Sequence, residues 1–338
     1  MRHRIPAGIL AIVLGATTLC ADAGPLRDRL LERQAARSER GAVPGKVLRD
    51  IPYGSDPRQR FDVYLPAQAA SNAPVIFMVH GGGWRTGDKA ETAVLENKVP
   101  YFTGRGYLLV SINYRMLPDA GPLLQARDVA QALAAAQGKA ASWGGDPLRF
   151  ILMGHSAGAH LVALLSAQPS LAAGSRWLGT VALDSGVLDV PDIMEHRHLR
   201  LYDEAFGSDP AFWRKVSPAH ALQPGAQPML LVCSTQRDSA CRQAHAFAQR
   251  LRAGGSRAEV LEQARSHREI NLQLGADPAY TDAVQAFIDS LIRLAMPGLG
   301  ARSAGRFGPG FGRHQPGGAD GVQGGGPLQR QAAATVNW

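Results

Sequence analysis

The chain has 338 residues, enough for one large α/β domain or two smaller ones. With 45% apolar and 19% charged residues it has the balance of a globular protein that buries a large core. Its net charge is +8, but the arginines are scattered and no basic run is interleaved with aromatic residues, which argues against a nucleic-acid-binding face.

At the start, "MRHR" is a short basic stretch and "IPAGILAIVLGATTLC" is apolar but too short to span a bilayer comfortably. Ala21-Asp22-Ala23 then offers a small-x-small cleavage site. Residues 1–23 read as a secretory signal peptide cut after Ala23, so a soluble secreted or periplasmic protein is expected. Lipidation at Cys20 is disfavoured, because Leu19 stands where a small residue is needed. Cleavage leaves Cys233 and Cys241, an even number in an oxidising compartment, and a disulfide between them is expected. Two separate buried thiols are the alternative, which spacing does not exclude.

Residues 24–44 are polar and arginine-rich and read as an N-terminal arm. From there to residue 296 the pattern is one domain. "KVLRDIPYG" and "QRFDVYLP" alternate in polarity and predict an antiparallel edge hairpin. "PVIFMV", "YLLVSIN", "RFILMG", "GTVALDS", "PMLLVCS" and "AEVLEQ" are short apolar runs bounded by turn residues, as buried parallel strands are. Between them, "LLQARDVAQALAAAQGKAASW", "SAGAHLVALLSA" and "CRQAHAFAQRLRAGG" carry helical spacing. The alternation predicts an α/β fold: a mostly parallel twisted sheet with helices on both faces. Residues 188–222 break the pattern. They are long, charged and aromatic, and predict a small helical cap inserted over the strand ends. Residues 297–338 contain 12 glycines and 4 prolines and read as a disordered tail.

Two glycine motifs carry chemistry. Gly154-His155-Ser156-Ala157-Gly158 ends one strand and opens a helix, the setting a G-x-S-x-G nucleophile elbow requires. "HGGGW", His80–Trp84, follows an earlier strand, and its bare backbone N–H groups suit an oxyanion. A serine nucleophile needs a base, and the base an orienting acid, in the chain order Ser, acid, His. Asp238 and His267 both lie in loops that follow strands. Asp184, one strand earlier, is the competing acid. Among the ten histidines, His155 and His160 sit too close to the serine in sequence to swing onto it. His245 falls within a helix and His220 in the cap. His196 and His198 form an H-x-H without a third ligand, so no metal is expected.

These motifs, with "YGSDPRQRFDVYLP", "INYRM", "AFGSDPAFW" and "SPAH", resemble the α/β-hydrolase superfamily. Within it they resemble the esterases with an HGG-x-W oxyanion motif, a group that includes the bifunctional feruloyl and acetyl-xylan esterase-like (BD-FAE-like) domains and is similar to kynurenine formamidases. The resemblance covers about residues 45–295. It implies Ser156 as nucleophile, Asp238 as acid and His267 as base, with Gly82, Gly83 and the amide of Ala157 as the oxyanion hole. Trp84 and the cap would shape the substrate pocket. In two respects the chain departs from the group: the acid stands in "RDSAC" rather than D-x-x-V/P, and the glycine-rich tail has no counterpart. The expected function is hydrolysis of small acyl or aryl esters through an acyl-enzyme, with a small-molecule substrate and no cofactor. A formamidase-type amidase would use the same residues. A non-catalytic binding protein on this fold is the third reading, and the complete set of triad candidates argues against it.

Overall fold

The computed structural model describes residues 45–68 and 70–295. The signal segment, the arm over 24–44 and the tail over 297–338 lie outside the described residues.

Eight strands form one sheet in the order β1-β2-β4-β3-β5-β6-β7-β8. The first two, β1 (Val47–Pro52) and β2 (Arg60–Tyr64), are antiparallel, and β2 also runs antiparallel to β4 (Leu108–Ile112). All later pairs are parallel: β3 (Ala73–Val79) lies between β4 and β5 (Gly145–His155), followed by β6 (Gly179–Leu183), β7 (Met229–Ser234) and β8 (Ala258–Gln263). The apolar runs are unbroken because both faces of the sheet are covered. Val75, Phe77 and Val79 pack with Val110, Phe150 and Leu152 on one face. Ile76 and Met78 pack with Leu109, Ile151 and Met153 on the other.

Helices α3 (Pro122–Ala140) and α4 (Ala157–Ala167) cover the first face, through Val129, Leu133, Leu161 and Leu165. The second is covered by α1 (Thr92–Leu95), α2 (Lys98–Gly104) and α10 (Pro278–Leu294), through Val94, Val99, Phe102, Val284, Phe287 and Leu291. Helix α8 (Ala240–Ala253) packs Ala244, Phe247 and Leu251 against β7. Three short helices, α5 (Val190–Met194), α6 (Arg200–Phe206) and α7 (Pro210–Lys215), fill the stretch between β6 and β7. Helix α9 (His267–Leu272) follows β8.

The chain leaves β3 for β4 on one side and returns to β5 on the other. Strand order reverses there, and the loops after β3 and β5 diverge at the carboxyl ends of the strands. In open α/β sheets this is where ligands bind.

Candidate active site

The elbow is built by close backbone approach. A Cβ on Gly154 would lie 2.4 Å from the Gly158 carbonyl oxygen, and one on Gly158 would lie 2.3 Å from that of Val79. Only glycine fits at either position. Gly158→Ala is therefore expected to cost about 2 kcal/mol or more, from forced displacement of β3; chemical denaturation beside the native protein measures it. Ser156 itself has φ 56° and ψ −118°. Its N–H donates to Leu183 O at 3.1 Å, and its carbonyl accepts from Gly186 at 2.9 Å and His160 at 3.0 Å. Between Phe150 and Ala167 every residue is buried except Ser156. Strain of this kind persists where the surroundings enforce it, and here it turns one hydroxyl-bearing side chain outward from a packed core.

The loop after β3 lies against the serine: a Cβ on Gly81 would be 3.0 Å from Ser156 Cβ. Its conformation is fixed from below. His80 stacks on Tyr114 at 4.5 Å, the Tyr114 hydroxyl donates to His80 O at 3.0 Å, and the Trp84 carbonyl accepts from Leu117 N and Gln125 Nε2. Gly82 and Gly83 have φ of 111° and 60°. Among the described residues, no carbonyl or side chain accepts from the amides of Gly82, Gly83 or Ala157, and the last is also the first amide of α4. The three expected oxyanion donors are thus free of internal partners.

His267 opens α9 behind an N-cap made by Ser266, which forms a reciprocal capping box with Glu269. It is docked on the elbow: the His155 ring lies 4.5 Å from the His267 ring, and His155 Nε2 donates to His267 O at 2.9 Å. The acid differs from expectation. His267 Nδ1 meets Asp184 Oδ2 at 2.5 Å. Asp238, the acid expected from the motif, is exposed on the loop after β7 and does not contact His267. That loop turns the neighbouring Arg237 inward instead, and Arg237 Nη1 lies 2.8 Å from the same Asp184 oxygen. Asp184 sits at the end of β6, next to β5, with φ 44°, and is fully buried. Its other oxygen accepts from Ser234 N at 3.0 Å. Burial pushes its carboxyl up, but the bond to His267, the Arg237 charge and the Ser234 amide prevail and hold it below the usual carboxylate range.

Trp84 also departs from its expected role. It is 1% exposed, its indole N–H is spent on His160 Nδ1 at 3.1 Å, and its ring packs on Phe206 at 5.0 Å and Tyr202 at 5.8 Å. It supports the cap from beneath and is closed off from solvent. Leu201 of α6, exposed, is the side chain that a Cβ on Gly83 would meet, at 3.9 Å. In the cap, His198 pairs with Asp203 and His220 with Asp189, both at 3.0 Å, while His196 bonds to Asp192 O. No group of three metal-binding side chains is found among the described residues. Cys233 and Cys241 are joined as a disulfide.

Three histidines around the site are buried and neutral. Burial pushes His80 and His160 down to about 4 and His155 to about 3. A histidine depressed in the folded state contributes stability above its unfolded value of about 6.5, and loses it as pH falls toward the folded value. Unfolding free energy is expected to fall by about 1–2 kcal/mol per histidine between pH 7 and pH 5, measured by urea titration at each pH.

An eight-stranded, mostly parallel sheet with a serine elbow at its reversal point is the α/β-hydrolase fold. Residues 61–175 match the BD-FAE family model. The chain is 30% identical over 265 residues to an isoprenylcysteine alpha-carbonyl methylesterase of Arabidopsis thaliana, which covers 71% of this chain and 61% of the relative. A kynurenine formamidase of Danio rerio is 30% identical over 128 residues, 38% of this chain and 41% of the relative. The chain thus spans less than two thirds of the length of each of these relatives. Among solved structures, a truncated carbohydrate esterase from gut microbiota superposes with a TM-score of 0.64 at 17% identity, covering 74% of this chain and 98% of the other.

Proposed function

We propose that this protein is a serine hydrolase that cleaves carboxylic esters of small acyl or aryl groups. The observation that carries the reading is the 2.5 Å contact of His267 Nδ1 with a buried Asp184, on a histidine docked against the elbow of Ser156. With Nδ1 given to the carboxylate, Nε2 is the nitrogen left to take a proton from Ser156 Oγ. The oxygen then attacks the ester carbonyl carbon. The developing oxyanion meets the amides of Gly82, Gly83 and Ala157. Protonated His267 returns the proton to the departing alcohol, and water activated by the same nitrogen hydrolyses the acyl-enzyme. No cofactor is needed.

The names of the curated relatives support ester cleavage, and that of the formamidase supports amide cleavage as the second reading. Purified protein is tested on p-nitrophenyl acetate, butyrate and octanoate and on N-formylkynurenine. Turnover of esters in preference to the formamide supports the first reading, and the reverse order replaces it with the second. Leu201 beside Gly83 makes the chain-length trend the measure of the acyl pocket. The signal-like residues 1–23 support export, which N-terminal sequencing of the mature protein tests.

A further inference from the structure

The strand after the cap delivers a cation where an acid was expected. Arg237 lies on a turn between β7 and α8, and the Cys233–Cys241 disulfide closes that turn on both sides of it. Its Nη1 is 2.8 Å from Asp184 Oδ2, 3.3 Å from Ser185 O and 3.3 Å from His267 Nδ1. The guanidinium and the imidazole therefore share one carboxylate oxygen, while Ser234 N holds the other. Behind this contact lies a cavity of about 10 Å³, lined by Asp184, Arg237, Cys233, Ser239 and Gln243 among others. That is room for one water at most, so the contact is backed by an almost closed core.

We infer that Arg237 is a positioning residue: the disulfide-closed turn carries its guanidinium to Asp184 and fixes that carboxylate for His267. The inference rests on the serine-hydrolase reading. The titratable groups facing Asp184 are His267 on α9, Arg237 on the turn, His155 on the elbow, Tyr202 on the cap and Tyr280 on α10. Burial keeps His155 and both tyrosines uncharged at neutral pH. Arg237 is thus the permanent positive charge on the acid. It stabilises the ionised carboxylate and restrains its rotation, and the turn that bears it is covalently closed.

The test is the pH profile of kcat/KM for ester hydrolysis by the full chain, comparing native protein with Arg237→Gln, Arg237→Lys and Cys233→Ser/Cys241→Ser. Arg237→Gln removes a positive charge 3.3 Å from His267 Nδ1, which favours the protonated imidazole that cannot act as base. The acid limb is expected to move up by about one pH unit in Arg237→Gln, with kcat lowered about tenfold and KM little changed. Arg237→Lys restores most of the limb, and it keeps the test open if the glutamine variant does not fold. The double serine variant is expected to move the limb in the same direction, and to add nothing when combined with Arg237→Gln. Ser156-dependent activity with an unmoved limb in Arg237→Gln overturns the role of Arg237 alone. Additive effects of the cysteine and arginine changes overturn the coupling of the turn to the acid. Ester hydrolysis that survives Ser156→Ala overturns the underlying reading instead.

Discussion

Replacing Ser156 by alanine is expected to lower kcat for ester hydrolysis by at least about 10⁴-fold, with KM and melting temperature close to native. The size follows from the non-additive behaviour of serine, histidine and acid: once the nucleophile is gone, the base and acid have nothing to activate, and the oxyanion amides and binding supply the residue of catalysis. Stability is preserved for a local reason. The strained backbone at Ser156 is set by amide contacts to Leu183, Gly186 and His160, and by the glycines on either side, none of which involves the hydroxyl. Alanine keeps the Cβ that packs against Gly81. Initial rates on p-nitrophenyl butyrate, with thermal melts of both proteins, check both halves.

The second large effect separates the two aspartates. Asp184→Asn is expected to lower kcat by about 10⁴-fold, because an amide in place of the carboxylate no longer imposes the Nδ1–H tautomer on His267, nor balances the imidazolium as it forms. The same change leaves Arg237, whose side chain is 27% exposed, without its ion-pair partner, so a fall in stability of about 1 kcal/mol accompanies it. Asp238→Asn, on an exposed and unpaired side chain, is expected to leave kcat within about threefold of native, since surface changes away from a site have small effects. Parallel kinetics of the two variants measure the contrast directly. A reversed order would return the acid to the loop after β7.

Much of this arrangement was legible in the chain. The strand runs were visible because a sheet covered on both faces needs unbroken apolar segments, as in Val75–Val79 and Phe150–Met153. The elbow and the glycine loop were visible because a Cβ at Gly81, Gly82, Gly154 or Gly158 would lie within 3 Å of a neighbouring backbone atom. The carboxylate that meets His267 differs from the expected Asp238 for a geometric reason. Asp184 and Asp238 both follow strands, and what separates them is which side chain turns inward over the last residues of a loop, a matter of tertiary packing. The signal available was local: "ALDSG" places Asp184 directly after β6, beside the strand that leads into the serine. Trp84 was read as a pocket wall because it adjoins the oxyanion loop, yet its indole N–H has a buried partner in His160, and aromatic rings with a satisfied polar handle belong to cores as readily as to pockets. Helices α1, α2 and α10 were not anticipated. For α10 the markers were present: an Asp277 N-cap, Pro278 at the first turn, and apolar residues at Tyr280, Val284, Phe287, Ile288 and Leu291.

The most direct test of the account is covalent labelling of the purified protein with a fluorophosphonate, followed by mass spectrometry of the peptides. The account predicts one adduct, on Ser156, absent from Ser156→Ala and slowed in Asp184→Asn. A folded protein that takes no label, or takes it on another residue, would contradict the assignment of Ser156 as the activated nucleophile.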